Sequence, residues 1–172
     1  GPLSAWNDKI SIVDLPYLFN NAEHGRRVLD GPVGDEIMKE FESRGLIGLA
    51  WYENGIRHMT TKKAGVRKPE DLKGLKIRVM ESPVMVESLN AMGANAVPMG
   101  WAEVITSLQQ GLLDGQENPH LNILMSNTYE VTPIISETGH FYNPAVVIAI
   151  LQWWKSLTDF ERTAFKEAAM TS

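Results

Sequence analysis

The sequence predicts an α/β fold built on a mostly parallel sheet. Short β-branched or alternating segments take turns with segments of helical periodicity at close spacing, the pattern of strands crossing over through helices. Ser-Pro and Asn-Pro pairs precede apolar-periodic runs and Gly follows them, as at helix starts and stops. The chain has 172 residues, 44% hydrophobic and 22% charged, an ordinary globular composition long enough to bury its own core.

The elements follow in order. Ile10 to Phe19 is apolar and broken by Pro16, which predicts a strand end and a turn. Glu23 to Ser43 has helical spacing, with Val28, Ile37, Met38 and Phe41 recurring among charges. Gly31-Pro32 splits or kinks it, and Arg44-Gly45 supplies a basic last turn and a glycine stop. Leu46 to Tyr52 is a near-continuous apolar run and predicts a buried strand. Leu75 to Val79 alternates and is the next strand. Ser82-Pro83 opens a helix that ends at Met92-Gly93. Ala94 to Met99 is a short strand, Trp101 to Gln110 a helix stopped by Gly111, and Leu112 to Gln116 another short strand. Asn118-Pro119 repeats the cap-then-proline signal, for a helix to about Tyr129. Val131 to Phe141 and Ala145 to Leu151 are extended. Thr158 to Glu161 is a capping box, with an amphipathic helix to Met170.

Composition excludes several function classes. Sixteen basic and twenty-one acidic side chains give a net charge of −5, which disfavours wrapping nucleic acid. The absence of cysteine removes disulfides, thiol nucleophiles and thiolate metal sites. No apolar run is long enough to span a bilayer. The first residues do not read as a secretory signal, and Gly1-Pro2 resembles a protease-cleavage remnant. Charge is unevenly placed: residues 1–80 carry thirteen basic and eleven acidic side chains, residues 81–172 three and ten, and no Lys or Arg lies between Arg78 and Lys155. The Lys62 to Lys73 stretch reads as a solvated loop.

Arg78 is the most informative residue. It sits at the carboxyl end of a strand that feeds a helix, where ligands bind in open α/β sheets and helix N-termini favour anions. Its partner is either a carboxylate from outside, held bidentately, or an internal acid such as Glu81 or Glu117. Asn118 is a plain N-cap or a group facing the same crevice. Trp101 is core or an exposed ring beside Gly100. The four histidines show no metal spacing; Asp114, Glu117 and His120 span a corner and do not share a helical face. No nucleophile elbow, Walker loop or dinucleotide fingerprint appears. Binding is therefore favoured over catalysis, and no cofactor is expected.

The run GIRHMTT…KPEDLKGLKIRVMESPVMVESLNAMGANAVPMGWAEVITSLQQGLLDGQENP, with DLPYLF and GPVGDEI upstream and YEV…TGH downstream, resembles the substrate-binding subunit of tripartite ATP-independent periplasmic (TRAP) transporters, the type named for C4-dicarboxylates. The resemblance implies a two-lobed, periplasmic-binding-protein-like α/β fold with mixed, mostly parallel sheets, here incomplete. It begins midway through the first lobe and stops before the C-terminal helices. Residues 1–54 would be part of lobe I, 55–143 the ligand-anchoring lobe II, and 144–172 a return segment to lobe I. By the same resemblance Arg78 pairs with a ligand carboxylate, Arg57 supports that anion, Asn118 contacts the carboxylate or a hydroxyl, Trp101 lines the pocket where the family often has Phe, and His140 lies near the hinge. Met80 departs from the family, which usually has Pro or another residue there.

The function so implied is capture of a small organic acid in the periplasm for integral membrane subunits of a TRAP transporter. The protein would be a monomer at full length, and a dimer or strand-swapped species as a fragment, which would expose apolar surface. Competing readings are a hydrolase or lyase on a carboxylate substrate, with His58 or His140 as acid/base, and a ligand-sensing module on the same fold.

Overall fold

The computed structural model describes Leu3 and residues 8–171; Gly1-Pro2 lies outside them. The chain divides into two compact units, one of Gly1–Phe19 with Gly55–Asn143, the other of Asn20–Asn54 with Pro144–Ser172. The sequence reading groups residues 1–54 together, whereas the structure sets the described residues of the first nineteen with 55–143. Several contacts tie them there, three of which follow. The Tyr17 N–H donates to the His140 carbonyl at 2.9 Å, the Phe19 ring meets the Tyr142 ring edge-on at 5.2 Å, and the Ser82 hydroxyl donates to the buried Asp14 carboxylate at 3.1 Å. This segment is a short helix, α1 (Asp8–Ser11), and a 3-10 turn, Ile12–Asp14, where a strand end was expected. Its buried apolar residues, Ile10 and Val13, are three apart, which is helical spacing.

One five-stranded sheet runs in the order β3-β2-β4-β1-β5. Its members are β1 (Leu46–Thr61), β2 (Lys76–Val79), β3 (Asn95–Pro98), β4 (Gly115–Pro119) and β5 (Ile134–Ile150). β2 pairs parallel with β3 and β4, and β4 pairs antiparallel with β1, so the sheet is mixed. In the first unit α4 (Pro83–Ala91) follows β2, and α5 (Trp101–Gln109) follows β3. Ile77 and Val79 of β2 pack with Met59, Leu72, Met85, Leu89 and Phe141 in the main core. The α4 start is predicted correctly, but Ser82 spends its hydroxyl on Asp14 and makes no cap bond.

Two boundaries move, and both bear on the site. Leu112 and Leu113 lie in the turn that follows α5: the Leu112 N–H donates to the Ser107 carbonyl at 3.0 Å, and Leu113 packs with Val104 and Leu108. β4 therefore starts at Gly115, and Asn118 stands inside a strand and not at a helix cap. The helix after it, α6, spans only His120–Met125.

In the second unit, α2 (Ala22–Leu29) and α3 (Pro32–Lys39) are separated at Gly31-Pro32 as the sequence predicts. Leu29, Ile37 and Phe41 are buried. Gly45 ends the following 3-10 turn with φ 71°, a left-handed conformation that glycine tolerates. The apolar run from Leu46 is a strand but only half-buried, with Ala50 the buried residue of its first seven. It continues to Thr61, and the two extended runs after Val131 are likewise one strand. β5 leads into α7 (Leu151–Ser156) and α8 (Asp159–Thr171). The capping box at the α8 start forms as predicted: Thr158 N–H and hydroxyl both donate to Glu161 at 2.7 Å.

Candidate functional site

Neighbouring strands of the first unit bring the polar residues together. Arg78 on β2 stands opposite Gln116 of β4, and His58, Met59 and Thr60 of β1 stand opposite Asn118, Glu117 and Gln116. His140 lies on β5, the next strand. Seven of these side chains, those of Arg57, Thr60, Arg78, Gln116, Glu117, Asn118 and His140, are buried. A polar cluster of that depth has to satisfy itself or meet a ligand.

Arg57 satisfies itself. It is 1% exposed and forms a two-point ion pair with Glu117, which is 0% exposed. Nε donates to Glu117 Oε2, and Nη2 to Oε1 at 2.8 Å. Nη2 also reaches the Glu117 carbonyl at 2.7 Å and Asn118 Oδ1 at 3.0 Å, and Nη1 reaches Asn143 Oδ1 at 2.9 Å. Burial opposes ionisation of Glu117, but the Arg57 charge, with the adjoining His140 and Arg57 side chains, outweighs it and holds the carboxyl below its ordinary pKa. His140 brings Nε2 to 3.6 Å from Glu117 Oε2, too far for a hydrogen bond, while Nδ1 pairs with the Thr138 hydroxyl at 2.8 Å.

Arg78 is different. Neither Glu81 nor Glu117 forms an ion pair with it, and among the described residues it has no carboxylate partner. Its Nε and Nη2 both donate to the Met99 carbonyl, at 2.9 and 2.6 Å. The guanidinium carbon lies 5.4 Å from the centre of the Trp101 ring, a cation–π contact. Among the described residues Nη1 donates to no protein group, and it is not sealed from solvent. Burial pulls the Arg78 pKa down, with Glu117 opposing and Arg57 reinforcing, yet a guanidinium stays charged at neutral pH. The residue is thus 4% exposed, cationic, fixed along one edge and open at its end. Trp101 opens α5 with its ring 44% exposed.

Asn118 is the start of a directed chain of hydrogen bonds. Its Oδ1 accepts from Arg57, which leaves Nδ2 to donate to Gln116 Oε1 at 2.6 Å. Gln116 Nε2 donates to the Thr60 hydroxyl at 2.8 Å. Thr132 gives its proton to the Thr128 carbonyl at 2.9 Å, so Thr60 must donate to Thr132, 2.8 Å away. Sequence reasoning missed Gln116, Glu117 as the Arg57 partner, Thr60 and Thr132; the strict β1–β4 register was the signal, and it depends on where β4 begins. His58 stacks on His120 at 4.3 Å and accepts from the Gly139 N–H at 3.2 Å, outside this chain. Burial, then His120, lowers the His58 pKa. Among the described residues no group of three His, Asp or Glu is arranged to hold a metal ion, and no helix is long and apolar enough to cross a membrane.

Comparison with known proteins adds the following. The sequence profile of the family described as bacterial extracellular solute-binding protein, family 7 (DctP), matches residues 1–172. A solute-binding protein of Verminephrobacter eiseniae is 41% identical over 169 residues, 98% of this chain and 50% of that protein. The C4-dicarboxylate-binding periplasmic protein DctP of Rhodobacter capsulatus is 33% identical over 172 residues, 100% of this chain and 51% of that protein. Among solved structures, a TRAP periplasmic solute-binding protein from Polaromonas sp. JS666, bound to D-erythronate, superposes with a TM-score of 0.96 at 43% identity, over 99% of this chain and 56% of that one. The chain spans about half the length of the relatives it matches.

Proposed function

The chain belongs to the bacterial extracellular solute-binding proteins of family 7, and on that premise we propose that the full-length protein captures a small organic acid in the periplasm and delivers it to the membrane subunits of a TRAP transporter. One observation carries the proposal: Arg78 is a buried cation whose charge no side chain of the described residues neutralises. A guanidinium held along one edge by a backbone carbonyl and over one face by Trp101 is pre-organised, so little conformational freedom is lost when an anion meets its open end. A charge-assisted hydrogen bond of this kind contributes roughly 1.5–3 kcal/mol net. Asn118 and Trp101 are assigned as flanking ligand contacts. Arg57 fixes Asn118 by a direct hydrogen bond and is itself held by Glu117, which His140 faces; neither Arg57 nor His140 is assigned as a ligand contact. The erythronate found in the Polaromonas relative supports a carboxylate ligand.

The test is a thermal-shift screen of the full-length protein against D-erythronate, D-galacturonate, pantoate and succinate. A ligand that binds only the native state raises the melting temperature with the logarithm of its concentration once that exceeds Kd. At least one acid should do so in the wild type and not in Arg78→Ala. An equal shift in that variant would refute the assignment of Arg78.

A further inference from the structure

We propose that Gln116, Thr60 and Thr132 are positioning residues for acid binding, which hold the Asn118 amide in a single orientation; the inference rests on the assignment of Asn118 as a ligand contact made above. A side-chain amide has two ends of nearly the same shape, one a hydrogen-bond acceptor and the other a donor. Turning Asn118 over would leave the packing almost unchanged and exchange the group it offers a ligand. The buried neighbours of Asn118 decide between the two.

That choice is fixed from both ends of the hydrogen-bond chain. The Arg57 guanidinium has no acceptor atom, so Asn118 must turn Oδ1 toward it. At the far end the Thr128 carbonyl can only accept, and it takes the single hydroxyl proton of Thr132. Thr132 then accepts from Thr60, and Thr60, its own proton given away, accepts from Gln116 Nε2. Gln116 is left with Oε1 toward Asn118 Nδ2. Both ends thus demand the same polarity at every link, and the links measure 2.6–3.0 Å. They join β4, β1 and residues 131–133 ahead of β5. Thr60, Gln116 and Thr132 are wholly buried. Apolar side chains would fill the same space without the cost of burying two hydroxyls and an amide. What the polar chain adds is direction, since hydrogen bonds in series polarise and stiffen one another. With Oδ1 on Arg57 and one Nδ2 hydrogen on Gln116, Asn118 has a second Nδ2 hydrogen with no acceptor among the described residues. It therefore offers an acid a donor, which suits a carboxylate or hydroxyl oxygen.

The experiment is a double-mutant cycle of Thr60→Val and Asn118→Ala in the full-length protein. Isothermal titration uses whichever of D-erythronate, D-galacturonate, pantoate and succinate gives the largest thermal shift. Thr60→Val keeps the shape and deletes the hydroxyl two hydrogen bonds from Asn118. It should weaken binding about fivefold or more when Asn118 is present, and by less than about twofold in the Asn118→Ala background. Thr60→Ser, which restores the hydroxyl, should bind within about twofold of wild type. A hydroxyl that serves only folding would give equal losses in both backgrounds, or none, and either result would overturn the inference. Asn118→Ala alone tests the underlying assignment. Unchanged affinity there would remove Asn118 from the ligand contacts, and this inference with it, while leaving the Arg78 grip intact. Failure of all four acids to bind would overturn the grip and this inference together. Should Thr60→Val not fold, Thr132→Val, one link further out, goes through the same cycle with the same expected outcomes.

Discussion

Arg78 and Arg57 place the same guanidinium in opposite circumstances, and their substitutions should behave differently. Arg78→Lys keeps the charge but loses the planar fork that holds the Met99 carbonyl and stacks on Trp101, so titration calorimetry should show affinity for the bound acid reduced about tenfold or more with little change in stability. Glu117→Ala leaves the Arg57 charge buried without its counter-ion and should cost about 3–5 kcal/mol in urea denaturation. Glu117 also gives acid sensitivity a sign. Its carboxyl is held below its ordinary pKa in the folded state, so the native state binds that proton less readily than the unfolded chain. Its contribution is complete above about pH 4.3, the ordinary glutamate value, and is lost as pH falls through the folded pKa. The fall in urea midpoint between pH 7 and pH 3 should be smaller in Glu117→Gln than in wild type, and an identical fall would show that other groups govern it. That Arg78 is a special cation was legible from its place at a strand end before Ser82-Pro83. That Arg57 is masked was not, because its partner lies sixty residues away and only the strand pairing reveals it.

At the level of the element, β4 is the critical piece, since it carries Gln116, Glu117 and Asn118 on five residues. Its approach to β1 depends on Gly115: a Cβ there would lie 2.3 Å from the Thr60 carbonyl oxygen. Gly115→Ala must push the strands apart, with an expected loss of about 1–3 kcal/mol in chemical denaturation and a weaker acid affinity, because Thr60 is also a link in the hydrogen-bond chain. Helices α2, α3, α4, α5 and α8 were readable because their caps and stops are local chemistry, as at Thr158-Glu161, Gly45 and Pro83, whereas α1 and α7 carry no such signal. Strand limits were less so. Leu112-Leu113 looks like a strand start, but the burial of Leu113 against Val104 and Leu108 in the turn after α5 outweighs that preference. Likewise Ile10 to Phe19 has too few residues to distinguish alternation from helical spacing until its packing is known.

For the molecule as a whole, binding and folding are linked. An acid present at a hundred times its Kd should stabilise the full-length protein by about 2.7 kcal/mol, seen as a concentration-dependent rise in melting temperature that Arg78→Ala abolishes. The α/β class and the family were legible in the sequence, in segments such as GLKIRV and DGQENP, and the family match covers residues 1–172. The association of residues 8–19 with the later segment was not, because it rests on single contacts such as Ser82 with Asp14 that leave no periodic trace. The stacking of Arg78 on Trp101 has an optical consequence. An indole next to a positive charge is sensitive to any anion that partly cancels that charge. Occupancy of the site should therefore alter the intrinsic fluorescence, and Trp101→Phe should lose most of that signal, giving the chain a label-free reporter at the point of contact.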